Sequence, residues 1–332
     1  MAKILISLLS DHIIPNYLFI KETERQFDDY IFIGTKYTFD KEFGINLENT
    51  LQWPLRKTRR VVVSNDNYNV IMRELENEQF SHDDEYCINQ TGGTKAMSIA
   101  VFSFFQNFKT KFVYIPFGTN EYFDFEHEEG MKIKYRLNLK EYFSLYGMTY
   151  ESDNNFLLGA KSPENVFYRL MKRKFYLLPD IIKAHEKPTP EERRFWSGEW
   201  FEEYTFKRIL QEYSNVSDEA IGKSVKVFRK GSIVNDNEID VAFVKDNNLY
   251  MIECKVSMNG YGSTTHDTIE KYLYKIAAIM KDLGLKVNSY LFTLHNMSRL
   301  NPKTLENIEK RKSILGIKGL FDGPRLTKML NI

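Results

Sequence analysis

The chain has 332 residues, of which 42% are hydrophobic and 27% are charged, and 46 Lys and Arg against 45 Asp and Glu give a formal net charge of +1. This length predicts two domains, each large enough for its own core. The near balance of charge excludes a bulk polycationic nucleic-acid binder, so any contact with nucleic acid is expected from a local patch.

The cysteine content and the first residues favour a cytoplasmic protein. Two cysteines, Cys87 and Cys254, occur without a CxxC motif or histidines at zinc-ligand spacing, which suits a reducing compartment. Residues 1–10 carry one lysine and a very short apolar run, which predicts a buried strand rather than a signal peptide. No stretch approaches the roughly 20 apolar residues that span a bilayer, so no membrane partner is expected.

The N-terminal half alternates apolar strands with helices. Strands are predicted at residues 3–9, 30–34 and 60–64, and helices at 15–25 and 67–79. Strands that are apolar on both faces and alternate with helices indicate a parallel, doubly wound α/β sheet.

Residues 85–102 predict a strand that runs through Gly92-Gly93 into a helix. Free amides at a helix start bind phosphate, and paired glycines let a ligand approach the backbone closely. Thr91, Thr94 and Lys95 add donors and charge. The segment is not a Walker A loop, because Ala96 replaces the hydroxyl that would hold Mg²⁺. A plain turn with Thr94 as the helix cap is the alternative.

Two polar loops are expected to meet at one edge of this sheet. Ser10-Asp11 and residues 90–95 both follow strands, and ligands of open α/β sheets bind at the carboxyl ends of strands. A nucleotide pocket is therefore plausible there, with residues 116–120 as a third candidate loop.

The segment N-Q-T-G-G-T-K-A-M at residues 89–97 resembles the ligand loop of CARF domains, and the resemblance covers roughly residues 1–145. It implies a Rossmann-like domain that senses a cyclic oligoadenylate, with cyclic tetra-adenylate as the expected allosteric activator. A two-fold symmetric ligand further implies a homodimer. The ligand-binding residues implied are Ser10, Asp11, Gln90, Thr91, Gly92, Gly93, Thr94, Lys95 and Met97.

The C-terminal half is expected to form a second α/β domain. We divide the chain into residues 1–148, a connecting helix and linker at 149–192, and a domain at 193–332. A helix is predicted at 163–174, and the proline-containing segment 183–194 marks the boundary.

Residues 238–244 and 249–256 predict a β-hairpin with Asn247-Asn248 as a two-residue loop. Counting outward from that loop, Asp240 faces Lys255, and Glu253 faces Ala242. Strand alternation then places Asp240, Glu253 and Lys255 on one face and apolar residues on the other.

Two carboxylates at this spacing repel each other and favour a shared proton or a bound cation. Mg²⁺ or Mn²⁺ suits carboxylate oxygens, and Lys255 would polarise a water or neutralise charge on a phosphate under attack. An exposed hairpin with a surface Glu–Lys pair is the alternative.

The same pattern resembles the PD-(D/E)xK superfamily of restriction-endonuclease-like nucleases, with Asp240, Glu253 and Lys255 in the motif positions. The resemblance implies a further acid from the first helix of the domain, Glu202, with Glu203 as the fallback. Asp240, Glu253 and Glu202 would be the metal ligands. Lys271 and Lys275 lie on one face of a later helix, where they would meet a phosphate backbone or solvent.

The two resemblances together imply an effector nuclease of type III CRISPR antiviral defence. Such a nuclease is activated by cyclic oligoadenylate, acts as a homodimer and cleaves or nicks DNA, and in some members single-stranded RNA. A regulator whose nuclease-like domain only docks nucleic acid or a partner protein is the alternative. Whether the sensor also cleaves its own ligand, with His12 recruited, stays open.

Overall fold

The computed structural model describes residues 1–53, 58–116, 118–155, 189–190, 194–213, 217–234, 237–258, 264–284, 287–323 and 325–326. The chain divides into two compact units. The first comprises Met1–Leu137 and Glu141–Met148, and the second comprises Asn138–Lys140 and Thr149–Ile332. The helix predicted at 163–174 and most of the boundary segment 183–194 lie outside the described residues.

The first unit contains a seven-stranded sheet in the order β3-β2-β1-β4-β5-β6-β7. Its first five strands along the chain pair in parallel, and β6 and β7 add an antiparallel edge. The strands are β1 (Lys3–Leu8), β2 (Asp29–Gly34), β3 (Thr58–Val62), β4 (Glu85–Asn89), β5 (Lys109–Tyr114), β6 (Glu121–Asp124) and β7 (Met131–Lys132).

Helices connect these strands. They are α1 (Ile14–Thr23), a 3₁₀ turn (Glu24–Gln26), α2 (Lys36–Asp40), α3 (Phe43–Thr50), α4 (Tyr68–Asn77), α5 (Lys95–Phe105) and α6 (Leu139–Leu145). Apolar residues of β1, β2 and β4 pack with α4 and α5 in one core. The predicted parallel α/β architecture is confirmed. The strand order reverses between β1 and β4, which makes their carboxyl ends the expected ligand edge.

The second unit contains a six-stranded mixed sheet in the order β13-β12-β11-β10-β9-β8. The neighbours β9, β10 and β11 are antiparallel, whereas β11, β12 and β13 are parallel. The strands are β8 (Met148–Glu151), β9 (Ile221–Arg229), β10 (Asn237–Lys245), β11 (Asn248–Lys255), β12 (Val287–Thr293) and β13 (Gly319–Phe321).

Helices pack on this sheet in two separate hydrophobic cores. They are a π-helical turn (Phe195–Glu199), α7 (Trp200–Glu212), 3₁₀ turns (Asp218–Ala220 and Met297–Arg299), α8 (Thr265–Met280) and α9 (Pro302–Ile314). Trp200 and Phe201 of α7 pack against Val241 and Cys254, whereas Leu273 of α8 packs in a second core with residues of β12, β13 and α9. None of the helices in the described ranges is long and apolar enough to cross a membrane.

The turn of the β10–β11 hairpin differs from the prediction by one residue. Lys245 pairs with Asn248, so the two-residue loop is Asp246-Asn247 and not Asn247-Asn248. Both loop residues have positive φ, 49° and 60°, as a type I′ turn requires and as Asp and Asn tolerate.

The pairing across the hairpin is corrected with the turn. The observed register pairs Ala242 with Met251, and not with Glu253. It therefore sets Asp240 opposite Glu253, and not opposite Lys255. Because Glu253 and Lys255 are two residues apart on one strand, the shift leaves all three side chains on the same face, as predicted.

Gly92 lies where the loop after β4 crosses the end of β1. A Cβ built at Gly92 would stand 1.9 Å from the carbonyl oxygen of Leu8. Real Cβ atoms do not approach a backbone atom this closely, so the crossing requires glycine.

We expect Gly92→Ala to lower the free energy of unfolding by about 1–3 kcal/mol, the usual cost of over-packing a tight site. Gly44→Ala is the control, because its added Cβ would lie 3.4 Å from the side chains of Leu9 and Phe32, an ordinary contact. Urea unfolding of both variants is the measurement. Equal stability of the two variants would contradict the close crossing at Gly92.

Candidate functional site

The face of the β10–β11 hairpin carries two buried carboxylates opposite each other. Asp240 and Glu253 are 6% and 4% exposed. Their placement follows from the register that pairs Val241 with Ile252. Strand alternation sends Val241, Ile252 and Cys254 to the core with α7, so that the acids occupy the other face.

Lys255 bridges the two acids. Its Nζ lies 2.8 Å from Asp240 Oδ2 and 2.8 Å from Glu253 Oε1, and it donates to the carbonyl of Cys254 at 3.0 Å. Asp240 Oδ2 also accepts from the backbone N–H of Cys254 at 2.7 Å. The three residues that the sequence predicted for the catalytic trio are therefore in direct contact.

A second lysine, Lys275 of α8, reaches the same carboxylate. Its Nζ lies 2.8 Å from both Oε1 and Oε2 of Glu253. Lys275 was expected with Lys271 on a surface that faces a phosphate backbone or solvent, but only Lys271 is exposed. Lys275 lies one helical turn before the buried Ile279, at the margin of the apolar face of α8. This spacing is the sequence feature that could have indicated that Lys275 faces the sheet.

Glu202 lies in the first turn of α7 and accepts a hydrogen bond from the Ser224 hydroxyl at 3.4 Å. Ser224 stands in β9 with φ of 48°, between Lys223 and Val225, which pair with Val241 and Ile239. This register sets Ser224 beside Asp240. A left-handed non-glycine residue in a strand is a strained position of the kind found at functional sites, and no local sequence pattern indicates it.

Glu203, the fallback acid, is 2% exposed and belongs to the buried side of α7. Glu202 is only partly buried, and it is the acid whose charge interacts with Asp240. The geometry therefore favours Glu202 over Glu203 as the helix residue of the site.

Burial and neighbouring charges shift the pKa values of the cluster. Burial, followed by the charge of Asp240, raises the pKa of Glu202 to about 8. Burial, followed by the charge of Glu253, also raises the pKa of Asp240. Burial works to lower the pKa of Lys255, but Asp240 and Glu253 outweigh it, so that the pKa is raised and the ammonium stays charged.

The facing carboxylates of the cluster are oxygen ligands of the type that Mg²⁺ prefers. Two ammonium groups lie 2.8 Å from them. Among the described residues, no three His, Cys, Asp or Glu side chains form a group that could hold a metal ion, so Glu202 does not complete a three-acid group with Asp240 and Glu253 here.

The predicted ligand edge of the first unit is built around buried polar side chains. Asn16 Nδ2 donates to the Leu8 carbonyl at 2.9 Å, and Asn89 Nδ2 donates to Asn16 Oδ1 at 3.0 Å. These bonds join the ends of β1 and β4 through α1. Asn16 was not predicted as a site residue, because nothing in its local sequence pattern marks it as buried.

The two threonines of the ligand loop have structural partners. Thr91 Oγ1 donates to Asn89 Oδ1 at 2.6 Å and accepts from the Ile115 N–H at 2.9 Å. Thr94 Oγ1 caps α5 by accepting from the Met97 N–H at 3.2 Å, and it donates to the Asn65 carbonyl. Both hydroxyls therefore help to hold the loop in place.

The remaining residues predicted for this site differ in exposure. Asp11 and Lys95 are exposed, Ser10 is half-buried, and Gly93 has φ of 76°. Gln90 is 9% exposed, and within the described part of the chain its buried Nε2 has no hydrogen-bond partner. Met97 is fully buried in the core, which is a packing position.

Two family matches cover most of the chain. Residues 4–142 match the Card1 CARF domain, and residues 189–321 match the Card1-like endonuclease domain. A search of curated proteins gave no match.

Three solved structures share the fold over almost the whole chain. Protein VC1899 from Vibrio cholerae has a TM-score of 0.75 at 17% identity, over 99% of this chain and 96% of its own. Can2 from Sulfobacillus thermosulfidooxidans, in complex with cyclic tetra-adenylate, has a TM-score of 0.74 at 20% identity, over 99% and 97%. A type III CRISPR defence DNA nuclease activated by cyclic oligoadenylate has a TM-score of 0.54 at 13% identity, over 94% of this chain and 52% of its own.

These findings confirm the resemblances read from the loop at residues 89–97 and from the acidic hairpin. The chain joins a Card1 CARF domain, at residues 4–142, to a Card1-like endonuclease domain, at residues 189–321, and belongs to these two families.

Proposed function

We propose that the protein is a metal-dependent endonuclease that cyclic tetra-adenylate activates, and that it acts as a homodimer on DNA, with single-stranded RNA as a second substrate. The endonuclease family match supports the reaction class. The complex of Can2 with cyclic tetra-adenylate supports the activator, and the type III DNA nuclease supports DNA as the substrate.

The observation that carries the proposal is the contact of Lys255 with both carboxylates, each at 2.8 Å. A surface Glu–Lys pair would be solvated, whereas Asp240 and Glu253 are buried on one face of the sheet. Burying two acids side by side is unfavourable unless cations compensate them, which is the arrangement that a metal-dependent hydrolase needs.

The chain's own residues would hold and orient the reactants. Asp240 and Glu253 would hold Mg²⁺ or Mn²⁺, with Glu202 bound through water, and the ion would supply Lewis acidity and lower the pKa of bound water. Lys255 contacts both carboxylates and would orient the attacking water. The Cys254 N–H fixes Asp240 in place.

The first domain would read the activator at the carboxyl ends of β1 and β4. Asp11 and Lys95 are exposed there, and the N–H groups at the start of α5 favour phosphate. A two-fold symmetric ring would be shared by two copies of this edge. Binding would then shift the dimer towards a state whose nuclease domain accepts substrate.

Glu253→Ala should reduce cleavage at least about 100-fold, because it removes a metal ligand and a partner of Lys255. The measurement is plasmid nicking with Mg²⁺ or Mn²⁺, with and without cyclic tetra-adenylate. Glu306→Ala, at an exposed acid of α9, is the control. If the wild type shows no cleavage that Glu253→Ala removes, the alternative is favoured, in which the nuclease-like domain only docks nucleic acid or a partner protein.

Lys95→Ala should weaken the binding of cyclic tetra-adenylate by about tenfold or more, since a charge-assisted hydrogen bond contributes roughly 1.5–3 kcal/mol. Calorimetric titration of the full chain measures the affinity. Lys109→Ala changes an exposed lysine at the opposite end of the sheet and should bind normally. Unchanged affinity in Lys95→Ala would remove Lys95 from the site.

In the absence of metal, Glu202→Gln should be more stable than wild type, by an amount that grows as the pH rises from about 4.5 to about 8. The pKa of Glu202 rises from its ordinary 4.5 to about 8 on folding. Its stabilising contribution to the free energy of unfolding is therefore fully present below pH 4.5 and is lost as the pH rises through 8. Glutamine stays neutral, and the gain at pH 8 should be on the order of 2 kcal/mol.

Unfolding in EDTA between pH 5 and pH 9 tests this expectation, with Glu306→Gln as the control. A stability difference between Glu202→Gln and wild type that stays constant over this range would contradict it.

A further inference from the structure

Lys275 occupies the position on Glu253 that a metal ion would use. Its Nζ is 2.8 Å from each carboxylate oxygen, so that a single cation straddles the group. Oε1 also lies 2.8 Å from Lys255. Three ammonium contacts thus fall on the two carboxylate oxygens, so a divalent ion that binds both oxygens of Glu253 would compete with Lys275 for them.

The two lysines of the cluster are held differently. Lys255 contacts Asp240, Glu253 and the Cys254 carbonyl, and its side chain is 20% exposed. Lys275 contacts Glu253 alone within the described residues, and its side chain is 35% exposed. Lys255 is therefore fixed in the site, whereas Lys275 can leave towards solvent without losing other partners.

The helix that carries Lys275 is itself well anchored. Thr264 and Asp267 form a reciprocal capping box at the start of α8, and Leu273 and Ile276 pack in the core. The backbone position of Lys275 is thus set by the fold, and only its flexible side chain needs to move. Such an arrangement suits exchange of one cation for another at Glu253.

We propose that Lys275 is the resident counter-ion of the metal-free active centre, a positioning residue that a divalent metal ion displaces from Glu253. The proposal depends on the proposed metal-dependent function. Without metal, the ammonium compensates the charge of the buried carboxylate. On metal binding, its positive charge and its two hydrogen bonds oppose the incoming ion, so Lys275 raises the metal concentration that the enzyme needs.

The test is calorimetric titration of Mn²⁺ into the full-length chain without nucleic acid. Lys275→Gln should bind Mn²⁺ about tenfold or more tightly than wild type, because the competing charge is gone. Lys271→Gln makes the same charge change one turn earlier on α8, at an exposed position, and should bind as wild type does. Mn²⁺ should also raise the melting temperature of Lys275→Gln more than that of wild type.

Mn²⁺ affinity equal to or weaker than wild type in Lys275→Gln would overturn the proposal. If that variant does not fold, Lys275→Arg decides the question. Arginine keeps the charge and pairs with carboxylates in two parallel hydrogen bonds, so it should weaken Mn²⁺ binding several-fold. Equal or tighter binding in Lys275→Arg would overturn the proposal as well.

Glu253→Ala separates this failure from failure of the proposed function. Loss of Mn²⁺ binding in Glu253→Ala, with no effect of Lys275, would leave the metal site standing and reject the counter-ion. If Mn²⁺ binds Glu253→Ala as tightly as wild type, or does not bind wild type, both the metal site and the counter-ion are rejected.

Discussion

The second domain depends on one electrostatic constraint, which is that two acids sit opposite each other in the interior of a sheet. Asp240 and Glu253 cannot both be ionised there without nearby cations and donors. The neighbouring groups meet that need: Lys255 between the acids, Lys275 from α8 and the Cys254 N–H. Apolar cores hold α7 on one face of the sheet and α8 on the other, so that the acids lie between the sheet and a helix that carries a lysine.

The two sites share a geometrical origin although their chemistry differs. In the first domain the parallel strands β1 and β4 end at the loop that holds Gly92. In the second, Glu253 and Lys255 stand at the carboxyl end of β11, which is parallel to β12. Neutral polar side chains hold the first site in shape, whereas charged side chains contact one another in the second.

Much of this could be predicted from sequence because it rests on local periodicity. Alternation along β10 and β11 placed the three polar residues on one face, and that result survived a turn that was predicted one residue too late. The strand, glycine pair and helix of residues 85–102 were likewise readable from local signals. Side-chain roles that depend on tertiary contacts were not. Lys275 reaches Glu253 only because of the way α8 packs on the sheet. Ser224 has a positive φ that only its place in the sheet explains, and the side chain of Met97 lies in the apolar core of the first domain.

The Asp246-Asn247 turn also constrains how this hairpin can change in length. If a single residue is added between β10 and β11 without a compensating β-bulge, the register shifts by one, and one acid of the pair turns towards the core beside Trp200. A relative with a longer loop should therefore keep its acidic pair only where the loop or a bulge absorbs the extra residue.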